Sequence, residues 1–322
     1  MKILIIGAGG MVGQKLVQKI IEPGFNSFNF EELFLLDLYL PNYKDLRIKR
    51  IIGSINNKKK IKDLSSKRFD IIFYLASIVS GESEENFEKG WNVNLFSMWH
   101  FLSAIKIEHL NSSKSYIPKV IFTSPIAVFG APFPNKIDDE FLCYPQTSYG
   151  AQKVSIELLI SDFSRKGFIN GISLRLPTIC VRPGHPNKAA SGFFSNIIRE
   201  PLNGKKAYLP VDSSVRHWYA SPKSATNFLI HSVSMEFSQL ENRRSLNLPG
   251  VSCTVEEQIE RLRSIAGQKV VDLIILKKDL TIQNMVEGWP QNFLPIKALA
   301  LGFIADDNFE DIIKTFIKDE LK

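Results

Sequence analysis

Two short stretches carry residues whose types and spacing could do chemistry. In SYGAQK (148–153), Tyr149 and Lys153 stand four apart, so on a helix they share one face. A lysine ammonium beside a phenol stabilises the phenolate and lowers a tyrosine pKa from its usual ~10 toward the range of a general base. Lys153 could also hold a ribose hydroxyl. In GAGGMVG (7–13), Gly7, Gly10 and Gly13 follow an apolar run and precede a helical pattern. Glycines there permit a tight turn and a close approach of backbone to a pyrophosphate, which the free N–H groups of the helix start then attract. The pattern alone is weak evidence. It gains force from Asp37, an acid that closes the next apolar run and can accept hydrogen bonds from adenosine ribose hydroxyls. Its charge repels a 2′-phosphate, so NAD is expected over NADP.

Such side chains need a scaffold that brings them together. Apolar, β-rich runs at 2–7, 33–38, 47–52, 70–77, 119–124 and 172–177 alternate with helical patterns at 11–21, 85–107 and 148–167. Alternating strands and helices, with strands apolar on both faces, predict a doubly wound parallel Rossmann sheet over 1–177. After Pro177 the rhythm changes. Pro, Gly and Asn cluster at 182–192, and a capping box (Thr254 with Glu257) opens a helix that closes at Gly267. The remainder, 178–322, reads as a smaller α+β substrate lobe, with some segments free to return to the sheet.

Composition sets bounds. The chain has 322 residues, 44% hydrophobic and 23% charged, which suits a globular protein with a sizeable core. Cys143, Cys180 and Cys253 show no paired spacing, which argues against disulfides and suits the cytoplasm. No apolar run is long enough to span a bilayer, so no membrane is expected. The net charge is +7, but the basic stretch 47–62 lacks interleaved aromatics, so nucleic acid is not expected as a partner. His185 and His217 lack ligand spacing, and no metal is expected.

Taken together, the glycine turn, Asp37, FYLAS (73–77), Asn94, SYGAQK and RLP (175–177) resemble the extended short-chain dehydrogenase/reductase family, also called the NAD-dependent epimerase/dehydratase family. The resemblance covers almost the whole chain. Longer stretches, SGE (80–82), PQTSYGAQK (145–153), 175–202 and RHWYASP (216–222), are similar to the family's sugar-acid dehydrogenases. It implies that Gly7, Gly10, Met11, Val12 and Asp37 hold the pyrophosphate and ribose of NAD. Ile55 would lie by the adenine, and Leu75, Ala76, Ser77 and Pro177 along the cofactor. Tyr149 would be the base, Lys153 its activator, and a homodimer the expected assembly, through helices that include 85–107 and 148–167.

Two positions depart from the family. Ser54 stands where an acid is common. At FTSPIAVFG (122–130), Pro125 occupies the place of the hydroxyl that orients substrate. Pro has no donor. Ser124 is adjacent, but successive strand residues face opposite sides, so it replaces that hydroxyl only if the chain geometry allows. For an acid substrate, Arg182, Arg216 and Lys188 are candidate carboxylate partners, and Ser80 and Asn187 candidate readers of hydroxyls. The expected reaction is NAD-dependent oxidation of the C2 hydroxyl of a short sugar acid. A sugar epimerase or dehydratase, or a weakly active or non-catalytic NAD-binding protein, are the alternatives.

Overall fold

The computed structural model describes residues 1–25, 27–184, 191–240 and 242–321. Two compact units are present. One comprises Met1–Ser124, Ser148–Arg175 and Thr226–Leu246, the other Pro125–Thr147, Leu176–Ala225 and Asn247–Lys322.

In the first unit the apolar runs form β1 (Lys2–Ile6), β2 (Glu32–Asp37), β3 (Ile48–Ile52), β4 (Ile71–Tyr74), β5 (Lys119–Pro125) and β6 (Asn170–Leu176). With the short strand Ser245–Asn247 they make a seven-stranded sheet. Its order is Ser245–Asn247, β6, β5, β4, β1, β2, β3. The strands pair in parallel, with Ile6 opposite both Leu36 and Tyr74. This is the doubly wound Rossmann order. Strand order reverses between β1 and β4, where the carboxyl ends of parallel strands open a crevice for ligands. Both sheet faces are covered, which is why the strands could be near-continuously apolar. Leu4, Ile6, Tyr74 and Phe122 of the sheet pack with Phe101, Ile156 and Ile160 of the covering helices.

Three elements differ from the sequence reading. The run 70–77 is a strand only over Ile71–Tyr74. β1 ends at Ile6, whose carbonyl takes the last bond on that side from Leu75 N (2.8 Å), and Leu75–Ser77 leave the strand there although β5 on the other side continues to Pro125. The helix expected at 85–107 is interrupted. Ser80–Glu85 and Phe87–Gly90 meet at Asn86 (φ −130°, ψ 75°), and a π-turn over Trp91–Phe96 leads into Ser97–Asn111. At Gly90 this segment packs so closely on the Ser148–Arg165 helix that a Cβ would lie 2.5 Å from Gln152 Nε2. Finally, β5 runs through Ser124 to Pro125, which keeps an extended backbone (φ −97°, ψ 164°). Proline is tolerated at a strand end, where one missing ladder donor costs little.

In the second unit, Arg216–Ala220 pairs antiparallel with Val251–Thr254 and parallel with Thr178–Ile179. The capping box forms as read, with Thr254 Oγ1 accepting from Glu257 N, and the helix Val255–Ala266 stops at Gly267 with φ +84°. Phe194, Tyr219, Leu262, Ile312 and Ile313 form its core. Among the described residues, no helix is long and apolar enough to cross a membrane. Nor does any group of three or more His, Cys, Asp or Glu among them come together as a metal site.

Candidate active site

The glycine turn sits where β1 ends. Gly7 N donates to Leu36 O (2.9 Å), and Gly7 adopts φ +89°, a left-handed conformation that favours glycine. A Cβ at Gly7 would meet Ala76 N at 2.5 Å, and one at Gly13 would meet Gly7 O at 2.3 Å. The turn is therefore packed on its inner side against Leu75 and Ala76, just beyond β4, and against itself. Its outer side is open: Gly10, the N-cap of the helix Met11–Ile21, is exposed and brings no side-chain cap. The first-turn N–H groups, at Met11 and Val12, have no intrahelical acceptors and face an anion-binding position.

Asp37, at the end of β2, is half-buried. Its Oδ2 accepts from Gly9 N (2.8 Å) and its Oδ1 from Leu38 N (2.6 Å). The carboxylate thus braces the glycine loop while each oxygen keeps a second lone pair for a further donor. Ile55 is buried with Ile61 and Leu64, and Ser54 Oγ accepts from Asn56 N (3.1 Å). Leu75, Ala76 and Ser77 are partly exposed at the end of β4, and Ser80 opens the next helix with partial exposure.

Tyr149 lies in the first turn of the Ser148–Arg165 helix, where Glu84 accepts from Ser148 N (2.6 Å). Lys153, one turn on, is 2% exposed. Its Nζ donates to Thr123 O (3.1 Å) and overlies two rings, Phe122 at 4.6 Å and Tyr149 at 5.6 Å from the centroids. Burial pushes the Lys153 ammonium down to about 7, with the Glu157 carboxylate acting in the opposite direction.

An amide hub ties this helix to the Ser77–Ile78 segment. Asn94, buried and carried on the π-turn, donates from Nδ2 to Gln152 Oε1 (2.7 Å) and accepts from Ser77 Oγ and Ile78 N (both 2.9 Å). Sequence reading named Asn94 and missed Gln152, which lies inside SYGAQK but at a position the Tyr149–Lys153 spacing gives no role. Glu84 was missed as well, since 64 residues separate it from its partner Ser148.

Ser124 is 2% exposed, and its Oγ has no hydrogen-bond partner among the described residues. Because β5 stays regular through Pro125, Ser124 shares a strand face with Phe122, the ring beneath Lys153. Pro125 falls on the other face. Of the remaining residues read as functional, Pro177 is buried. The Arg182 guanidinium donates to Ile179 O and Ser191 Oγ (both 2.9 Å). Arg216 donates to Ser252 O (3.2 Å) and pairs with Glu257 (3.3 Å). Asn187, Lys188 and His185 lie outside the described residues. His217 is buried with its Nε2 at 2.7 Å from Thr178 Oγ1, and desolvation holds its pKa down at about 3, so it stays neutral.

Comparison with known proteins agrees with this architecture. Residues 3–220 match the NAD dependent epimerase/dehydratase family. D-erythronate dehydrogenase from Cupriavidus necator is 37% identical over 99% of this chain and 98% of its own length. The Haemophilus influenzae protein of the same name is 37% identical over 100% of both. Among solved structures, a nucleoside-diphosphate-sugar epimerase from Agrobacterium tumefaciens superposes with a TM-score of 0.94 at 48% identity, covering 100% of this chain and 94% of that one. L-threonine dehydrogenase from Clostridium difficile shares the fold, with a TM-score of 0.84 at 22% identity over 98% of this chain and 96% of its own. The chain belongs to the NAD-dependent epimerase/dehydratase family and is an NAD-dependent oxidoreductase. The residues present fit that cofactor: an uncapped helix start behind an exposed glycine for the pyrophosphate, and Asp37 for the ribose.

Proposed function

We propose that this protein oxidises the C2 hydroxyl of a short sugar acid, D-erythronate, to the 2-oxo acid. The observation that carries the reading is the buried Lys153 ammonium set over the Tyr149 ring, joined to full-length similarity to two D-erythronate dehydrogenases. Tyr149, as phenolate, takes the C2 hydroxyl proton. Lys153 stabilises that phenolate by its charge and is aimed by Thr123 O. NAD, when bound, supplies the acceptor for the C2 hydride. Gly7, Gly10, Met11, Val12 and Asp37 would hold it, with Leu75, Ala76 and Ser77 alongside. Ser124, the unpartnered hydroxyl on the Lys153 side of β5, orients the substrate oxygen in place of the hydroxyl lost at Pro125. A homodimer suits the exposed Phe96, Trp99, Ile107, Leu110 and Leu158 on the helices of the first unit.

The test is NADH formation on a panel of aldonic acids that includes D-erythronate. Turnover on D-erythronate above the other acids is expected, and none on any acid would reject the reading. A second reading, interconversion of a nucleotide sugar, rests on the 48% identity to a protein described as a nucleoside-diphosphate-sugar epimerase. It predicts that purified protein carries NAD and changes UDP-hexoses without net NADH.

A further inference from the structure

One buried charged pair, a helical turn beyond Lys153, has no part in the chemistry above. Glu157 follows Lys153 by one helical turn on the same face and is 3% exposed. Arg175, from β6, grips it through both carboxylate oxygens, with Nε at 3.1 Å from each and Nη2 at 2.7 Å from Oε2. The arginine side chain is itself only 11% exposed. A buried ion pair is a poor way to gain stability, because desolvating two charges offsets most of their attraction. Its position offers another reason for it to be there.

We propose that Glu157 and Arg175 are positioning residues that balance the charge around Lys153, so that its ammonium is present beside Tyr149 at neutral pH. The helix of Lys153 contributes Tyr149 and Glu157, β5 contributes the Thr123 carbonyl and the Phe122 ring, and β6 contributes Arg175 through Glu157. Glu84 reaches the same helix at Ser148, in its first turn, where it accepts from both N and Oγ. Phe122 and the surrounding core give the ammonium almost no water, so burial favours the neutral amine. The Glu157 carboxylate opposes that, and Arg175 caps how far it does. Without Glu157 the cation of Arg175 would stand alone and expel the Lys153 proton. Without Arg175 the bare carboxylate would hold that proton too firmly.

The proposal rests on Tyr149 and Lys153 as the catalytic pair, yet its readout needs no substrate. In the full-length protein carrying 13C-labelled lysine, the Lys153 Cε resonance is assigned by its loss in Lys153→Met and followed against pH. Glu157→Gln is expected to lower the Lys153 midpoint by roughly 1 pH unit or more, and Arg175→Gln to raise it by a similar amount, the size of effect one nearby charge has on a buried group. The double variant should return close to the unmutated midpoint, and Arg175→Lys should barely move it. General damage to packing cannot produce shifts of opposite sign that cancel. If either single variant does not fold, Glu157→Asp, which keeps the charge but withdraws it by one methylene, should lower the midpoint by less. A Lys153 midpoint that is unmoved, or that moves the same way in both single variants, overturns the proposal, as does an unmoved midpoint in Glu157→Asp. Absence of NADH formation by the unmutated protein would instead reject the dehydrogenase reading.

Discussion

The glycine turn and the Tyr149–Lys153 helix lie in the same unit and are built by different means. The turn is made of backbone. Its shape comes from Gly7 and Gly13 packing without side chains and its polarity from N–H groups at a helix start, while Asp37 and Gln14 brace Gly9 with their side chains. The helix site is made mostly of side chains drawn from separate segments: Phe122 of β5, Asn94 of the π-turn, Arg175 of β6 and Glu84 from before the π-turn, with the Thr123 carbonyl of β5 as its main-chain contribution. A backbone site fails when atoms are added. A side-chain site fails when charge or hydrogen bonds are removed, and it can be tuned in small steps.

That contrast can be broken from either side. The largest effect is expected at the turn: Gly13→Val would press its side chain into Gly7 O and Ala8, so NAD binding measured by calorimetry should be lost. Binding at unmutated strength would mean the turn is not the cofactor site. Tyr149→Phe removes one hydroxyl and leaves the turn alone. NAD affinity should be unchanged while turnover falls by on the order of 100-fold or more, the share of a general base. Unchanged turnover would remove Tyr149 from the mechanism.

A smaller loss is expected at Ser124, where removing one orienting donor should cost about 2 kcal/mol of transition-state stabilisation. Steady-state kinetics of Ser124→Ala should therefore show a fall in kcat of roughly 30-fold. Pro125→Ser should add little, because position 125 faces away from Ser124 on a regular strand. A gain in Pro125→Ser with full activity in Ser124→Ala would return the orienting role to position 125. The mildest change is at Asp37. Asp37→Ser should narrow the preference for NAD over NADP about tenfold in kcat/KM, as one repulsive charge is removed. It should also loosen the turn slightly, since Gly9 N loses its acceptor. Equal use of both cofactors by the unmutated protein would contradict the role given to Asp37.

What could be read from the chain follows the same division. The glycine turn, Asp37, the six strands and the Tyr149–Lys153 spacing are local. Strand and helix periods put each residue on a face, and glycine marks places where no Cβ fits, so neighbours in sequence were enough. The Thr254 capping box is local too, and it formed as read. Tertiary structure alone decided the rest. Leu75–Ser77 leave the strand at the level where β1 ends at Ile6, a limit that the run itself does not mark. Glu84, Gln152 and Arg175 gain their roles through partners far along the chain, and Ser245–Asn247 returns to the sheet after a long excursion. Pro125 marked where a donor was missing. Only the continued strand put Ser124 on the Phe122 side, and only the core around Lys153 stripped away the water that would otherwise keep its ammonium at an ordinary pKa.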